Sequence, residues 1–286
     1  MSKYLVAVDA GHSTYDTPGK YTVKLDEDLY IDGKLVREKG KRIKENEWNR
    51  GVSEYLADAL NRCGIDTIFT ADMTGKKDIP LSTRAQKAND AKADILVSHH
   101  YNAIGTCDNW QTKCKGLLVL RTKNCSMDSI TLGNLIARQL EKDVDYEYSY
   151  GLMRDVDMSG FTLAILRQTN MPAVLIEYGF MDYKKEALLM LDKEHQKKCA
   201  EADCKAICKY FNVDYIEEKQ QYLRVLKDVN LHNAANFKKS SVCGKVTKGT
   251  VLTIVKKIKC NGTDMYLTKA NTYITSSNKY IEVFTQ

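Results

Sequence analysis

The stretch Ile95-Leu96-Val97-Ser98-His99-His100-Tyr101-Asn102-Ala103 sets the fold class of this 286-residue chain. It opens on three apolar residues without the apolar/polar alternation of a half-solvated strand, which is the pattern of a strand covered on both faces. Similar runs lie at Tyr4 to Val8, Thr67 to Phe69, Gly116 to Leu120, Leu163 to Leu166 and Ala173 to Ile176. Segments with a period near 3.6 residues separate several of them. Val52, Leu56, Ala59 and Leu60 form one apolar stripe, Leu132, Leu135, Ile136 and Leu140 a second, and a last helix runs through Ile207 to Phe211. The alternation predicts an α/β domain: a mostly parallel sheet of roughly six strands with helices on both faces.

After Phe211 the pattern changes. Glu217-Glu218-Lys219-Gln220-Gln221 is polar, and β-branched clusters with turn signals follow: Val225, Val229 and Leu231, then Val251-Leu252-Thr253-Ile254-Val255, then Tyr266-Leu267, Tyr273-Ile274 and Tyr280-Ile281. These predict a small all-β barrel. The expected division is a large domain over 1–215, a linker over 216–222 and a small module over 223–286. From Leu223 onward eleven Lys and Arg face only Asp228, Asp264 and Glu282, whereas the whole chain carries a formal charge of +6. The module is thus basic beside a slightly acidic body, a distribution that directs it toward an anionic partner.

Composition excludes several classes. With 43% apolar and 28% charged residues, neither wholesale disorder nor a disulfide-stapled miniprotein fits. No run is long enough to span a bilayer, and the start, Met1 to Asp9, turns acidic too soon for a secretory leader. The expectation is a chain made in the cytoplasm without a signal peptide and without membrane insertion. Nine cysteines include no pair of Cys-x-x-Cys clips, so they read mainly as buried or idle thiols. There is no phosphate loop, no Gly-x-Ser-x-Gly elbow and no His-Glu-x-x-His; no nucleic-acid partner is expected.

Chemistry gathers at strand ends, where open α/β sheets place their ligand crevice. The first strand runs into Asp9-Ala10-Gly11-His12, delivering an imidazole there. In the stretch quoted at the outset, successive side chains point to opposite faces, so only one of His99 and His100 can enter that site. Glu45-Asn46-Glu47-Trp48-Asn49 opens the helix of the first stripe. Glu45, Asn49, Val52, Leu56 and Ala59 follow at steps of three or four, which puts Glu45 on the buried face; Glu47, Gly51, Glu54 and Asp58 make the solvated one. Finally Glu177 follows Ala173-Val174-Leu175-Ile176, a costly place for a carboxylate unless it is paired, metal-linked or catalytic. Two histidines and a glutamate from three elements match a catalytic zinc site with a position left for water. Zinc there would lower the pKa of its water and polarise a carbonyl, while Glu177 moves protons.

These motifs in this order, with Arg84, Ala88-Asn89, Ala93-Asp94, Met171-Pro172-Ala173 and Tyr178-Gly179-Phe180 between and after them, resemble the zinc-dependent N-acetylmuramoyl-L-alanine amidases of the Amidase_3 type, found in phage endolysins and bacterial autolysins. The resemblance spans residues 1 to about 213. It implies His12, Glu45 and His100 as zinc ligands, Glu177 as the catalytic glutamate, and cleavage of the amide between N-acetylmuramic acid and L-alanine in peptidoglycan. Two features depart from the family pattern: a long polar stretch from Tyr15 to Lys44, and Asp182-Tyr183 where an Asn commonly follows the Gly-Phe. The tail resembles bacterial SH3-like cell-wall-binding modules, on Val229-Asn230-Leu231-His232-Asn233 and Cys243-Gly244-Lys245-Val246-Thr247-Lys248-Gly249-Thr250-Val251-Leu252-Thr253. That implies anionic wall polymers as its partner. The lack of a leader favours an endolysin reaching a Gram-positive wall after release from the cytoplasm. The rival readings are a zinc peptidase acting within the stem peptide and a non-catalytic wall-binding protein.

Overall fold

A computed structural model describes residues 3–13, 19–260 and 262–285 of the chain. It divides into two compact units, Met1–Ile216 and Glu217–Gln286. In chain order the first unit contains β1 (Leu5–Ala10), β2 (Leu29–Ile31), β3 (Lys34–Arg37), α1 (Glu45–Arg62), β4 (Asp66–Phe69), α2 (Leu81–Asp90), β5 (Ile95–Asn102), β6 (Leu117–Arg121) and α3 (Met127–Asp143). After these come β7 (Ser149–Arg154), α4 (Asp155–Ser159), α5 (Ala164–Arg167), β8 (Ala173–Phe180), α6 (Lys184–Ala187) and α7 (Lys193–Phe211). No helix among the described residues is long and apolar enough to cross a membrane.

Among the described residues the central sheet has six strands in the order β4-β1-β5-β8-β6-β7. Its pairs are parallel except β6 with β8, which run antiparallel. The missing alternation in the strands now has its cause, since each face meets a separate core. Val6, Val8, Val97 and Ile176 pack on one side with Leu56 and Leu60 of α1, Leu132 and Ile136 of α3, and Ile207 of α7. Ala7, Leu96, Leu118 and Leu175 pack on the other with Ala85 and Ala88 of α2 and Ile165 and Leu166 of α5.

The sixth strand is not the expected one. Leu163 to Leu166 lies in and just before the short helix α5, where Ile165 and Leu166 fill the second core. A four-residue apolar run fits one helical turn as well as a strand, so periodicity alone does not separate them. The edge is instead β7, Ser149-Tyr150-Gly151-Leu152-Met153-Arg154, half-buried throughout except for its exposed last residue. The stretch from Tyr15 to Lys44 holds the β2–β3 hairpin, a further pair absent from the sequence reading; residues 15–18 of that stretch lie outside the described residues.

The second unit is all-β. Its strands are β9 (Gln221–Val225), β10 (Val229–His232), β11 (Val242–Val246), β12 (Val251–Ile258), β13 (Met265–Thr268), β14 (Tyr273–Thr275) and β15 (Ile281–Thr285). Among the described residues they pair antiparallel in the order β11-β10-β14-β13-β12-β9-β15. Leu223, Val225, Ile254, Ile274 and Ile281 form the core, with Tyr266 and Tyr280 packed against it. His232 is buried, with Nδ1 2.8 Å from Ser241 Oγ.

One ionic contact fixes the end of β1. Asp9 and Arg84 are both fully buried. The Arg84 guanidinium donates to Asp9 Oδ1 at 3.3 Å, to the Ala10 carbonyl at 2.7 Å and to the His12 carbonyl at 3.1 Å. Asp9 also accepts from Thr70 Oγ1 at 2.5 Å and Ser98 Oγ at 2.7 Å. Burial works against its charge, but Arg84 and the two hydroxyls hold the Asp9 carboxyl below the usual range. Removing one partner of such a pair strands the other in a dry site. Arg84→Met is therefore expected to lose about 3–5 kcal/mol of stability, read from the urea midpoint, with Asp9→Asn added to it restoring part of the loss.

Candidate functional site

The carboxyl ends of β1, β5 and β8 converge on one edge of the sheet, and the start of α1 lies against it. His12 follows β1 by two residues, Glu45 is the first residue of α1, His100 lies in β5 and Glu177 in β8. His100 and Glu177 are register partners, so their side chains leave the same face of the sheet.

Glu45 is the hub. Its carboxylate Oε1 is 2.9 Å from His100 Nδ1 and accepts the Tyr101 backbone N–H at 3.1 Å and Asn49 Nδ2 at 3.2 Å. Its Oε2 lies 3.3 Å from His12 Nε2 and 3.7 Å from Lys20 Nζ. The two imidazoles meet edge to face with ring centres 4.8 Å apart. One ligand-capable atom from each of His12, Glu45 and His100 lies within 4.8 Å of the others, which suits a metal ion. The atoms left over point to the same conclusion. His12 Nε2, Glu45 Oε2 and Glu177 Oε2 are closed off from solvent without a hydrogen-bond partner among the described residues. Buried polar atoms are rarely left so.

The backbone is shaped around this cluster. His12 adopts φ 59, left-handed for a non-glycine residue, a strained conformation that persists only where surroundings impose it. Asn46 Nδ2 donates to the Gly11 and His12 carbonyls at 2.8 and 3.0 Å, and Asn49 Nδ2 donates to the Gly11 carbonyl at 3.0 Å. Arg84 supplies the remaining clamp on His12.

The two carboxylates diverge in charge state. Burial works to raise Glu45, but His12, His100 and Lys20 hold it well below the usual carboxylate range. Burial pushes Glu177 up to about 7, with His100 pulling down and Glu45 adding to the rise. Burial also takes the His12 imidazole down to about 3 against the pull of Glu45, which leaves it neutral, the form that binds metals.

The sequence-derived candidates His12, Glu45 and His100 are thus together, with Glu177 beside His100. His99 points the other way. It is fully buried, with Nδ1 2.7 Å from Ser53 Oγ and Nε2 3.9 Å from Asp203. Glu47, on the solvated face of α1, pairs with Arg37 and accepts the Lys44 backbone N–H at 2.9 Å. Asp182, the departure after Gly179-Phe180, accepts the Ile104 backbone N–H at 2.8 Å and Gln111 Nε2 at 3.1 Å, fixing the loop after β5. Sequence reasoning left Asn46, Lys20 and the Asp9–Arg84 clamp without roles. For Asn46 a signal existed, since an amide in a helix's first turn beside Glu45 faces the chain that the helix abuts; Lys20 gave none.

Comparison with known proteins follows the same lines. The family described as N-acetylmuramoyl-L-alanine amidase matches residues 6–209, and a domain of unknown function matches residues 215–281. The chain is 27% identical to an endolysin of Bacillus phage SPP1 over 302 aligned positions, covering 99% of each. It is 26% identical to the uncharacterised protein YqiI of Bacillus subtilis over 179 positions, 60% of this chain and 77% of that one. Among solved structures it is similar to the CwlD amidase from Clostridioides difficile in complex with the GerS lipoprotein, at 25% identity and TM-score 0.56, covering 74% of this chain and 100% of that one. An N-acetylmuramoyl-L-alanine amidase from Clostridium difficile 630 has TM-score 0.57 at 22% identity, covering 74% and 98%.

Gly11 gives a direct test of the packing. A Cβ there would stand 2.2 to 2.6 Å from ring atoms of His100, so the imidazole must move. Gly11→Ala is expected to weaken divalent-metal binding about 10- to 100-fold, the scale for misorienting a ligand, with little change in far-UV circular dichroism. Equilibrium dialysis reads the first quantity.

Proposed function

This chain belongs to the N-acetylmuramoyl-L-alanine amidase family, and on that premise we propose that it is an endolysin whose domain over 1–215 cleaves the amide between N-acetylmuramic acid and L-alanine with the help of zinc. The gathering of His12, Glu45 and His100 around unsatisfied buried atoms beside Glu177 carries the reading. Two imidazoles and one carboxylate would hold zinc and leave a coordination position open. Zinc, when bound, supplies a Lewis acid that lowers the pKa of a water toward ~7 and polarises the substrate carbonyl.

The chain's own residues do the rest. Glu45 keeps its negative charge against burial because His12, His100 and Lys20 surround it, so it remains a ligand rather than a proton carrier. Glu177 is poised near neutrality by its dry setting, where a carboxylate takes a proton from the attacking water and returns it to the leaving amine. Asn46, Asn49 and Arg84 hold the backbone that presents His12.

On the assay that defines this activity, digestion of purified walls should release new L-alanine amino groups without new reducing sugar ends; a peptidase would expose other termini, and a binding protein none. Glu177→Gln should retain metal and fold while losing about 10²- to 10⁴-fold in turnover, the usual worth of general acid/base catalysis. Metal retention with near-normal turnover would return Glu177 to a structural role.

The module over 223–286 is proposed to bind anionic polymers of a Gram-positive wall, supported by its eleven basic residues against three acidic ones. Exposed charges are screened as salt rises. The module should therefore sediment with purified walls at low ionic strength and be released progressively as salt is added, and absence from the pellet at low salt would remove the targeting role.

A further inference from the structure

A second cluster of ligand-capable atoms lies away from the site above. Cys63 caps the carboxyl end of α1, while Cys204 and Cys208 stand one helical turn apart on the same face of α7. The three are buried. Cys63 Sγ is 3.8 Å from Cys204 Sγ, which is 3.9 Å from Cys208 Sγ, and all three sulfurs lie within 4.8 Å of one another. Glu45 opens α1 and Cys63 follows its last residue, so the helix of 18 residues separates the clusters by about 27 Å at 1.5 Å per residue.

We propose that Cys63, Cys204 and Cys208 form a second metal site, a closed thiolate site for a soft divalent cation such as zinc, which ties the end of α1 to α7. The sulfur spacing carries the argument. With zinc–sulfur bonds of about 2.3 Å, two thiolates on one ion stand about 3.8 Å apart at a tetrahedral angle and about 4.0 Å apart at a trigonal one. The Cys63–Cys204 and Cys204–Cys208 separations already have those values, and the third pair lies within 4.8 Å. A disulfide needs sulfurs about 2.05 Å apart, and these thiols are free.

Polar groups lie beside the sulfurs. The Ile216 backbone N–H donates to Cys63 Sγ at 3.2 Å, and the Ile216 carbonyl oxygen lies 3.8 Å from the same sulfur, an oxygen at hand for a fourth position. Arg62, paired with Glu201 at 2.7 and 2.9 Å, also donates to the Ile216 carbonyl at 2.7 Å and so fixes that backbone beside Cys63. Binding is balanced by release of the three thiol protons to solvent as three metal–sulfur bonds form. Three thiolates and a divalent ion leave one net negative charge, beside the Arg62–Glu201 pair. A site this enclosed has the character of a structural rather than a hydrolytic centre.

The test uses the full-length reduced chain, stripped of metal and titrated with cobalt(II). Only sulfur ligands give a near-ultraviolet thiolate-to-cobalt charge-transfer band, and His12, Glu45 and His100 contribute no sulfur. The band should saturate at about one equivalent in His100→Ala, where the first site is broken, persist in Cys243→Ser, and vanish in Cys204→Ser and Cys208→Ser. Zinc should raise the melting temperature of His100→Ala but not that of the double variant His100→Ala/Cys204→Ser, in which both sites are broken. Should Cys204→Ser fail to fold, Cys63→Ser at the helix cap carries the same reading. Absence of the band, its persistence when these cysteines are replaced, or an intact mass short by two hydrogens showing a Cys63–Cys204 disulfide would each overturn the proposal.

Discussion

The buried contact between Arg84 and Asp9 is the constraint on which the rest of the site depends. A strand leaving a parallel sheet could turn in many ways, yet here the chain must pass through a left-handed residue at His12 and still present an imidazole. Arg84 makes this possible by holding the Asp9 side chain and the carbonyls on both sides of Gly11 at once. A neutral residue could not do so, because Asp9 is fully enclosed and its charge needs a counterpart. The clamp lies on the opposite side of β1 from α1, whose Asn46 and Asn49 grip the same turn. The histidine is pinned between a helix on each face of the sheet.

Much of this was legible in the sequence, and what was legible has a common physical basis. Strands covered on both faces lose alternation, and helices with one buried face keep a 3.6-residue stripe, so β1, β5, β8, α1 and α3 were readable from apolar positions alone. The same stripe distinguished Glu45 from Glu47, because a helix's first residue shares the phase of the rest. What was not legible lacks that leverage. β7 is a half-buried edge with Gly151 in a left-handed conformation, and Leu163 to Leu166 had the right composition for a strand but enough length only for a turn of helix. The Asp9–Arg84 contact joins residues 75 positions apart, and no local pattern encodes a pairing of that span.

The adjacent histidines show how a single register divides labour. In β5, His100 faces α1's first turn and meets Glu45, whereas His99, one residue earlier, turns to the opposite face and meets Ser53 in the third turn of the same helix. Burial takes His99 down to about 3 and raises Asp203 to about 8, so for this pair, 3.9 Å apart, burial favours the neutral form of each. Two imidazoles with the same backbone neighbours thus reach opposite ends: one is drawn toward its charged form by a carboxylate, and the other is kept neutral as a packing group with a satisfied nitrogen.

That contrast also explains why the two glutamates of the site do different chemistry. Both lie in dry surroundings, and burial alone would raise each of them. Glu45 departs from that course because it stands among two imidazoles and an ammonium and accepts N–H donors from Asn49 and Tyr101. Glu177 has no donor at its buried Oε2 among the described residues, and it feels the negative charge of Glu45 besides. Placing a second carboxylate near an anion that is already satisfied costs least when the newcomer carries a proton. Burial therefore raises the proton affinity of Glu177 and the fixed charge of Glu45 adds to it: the residue that gathers the two histidines also helps hold its neighbour near the pH at which a carboxyl can both accept a proton and release it.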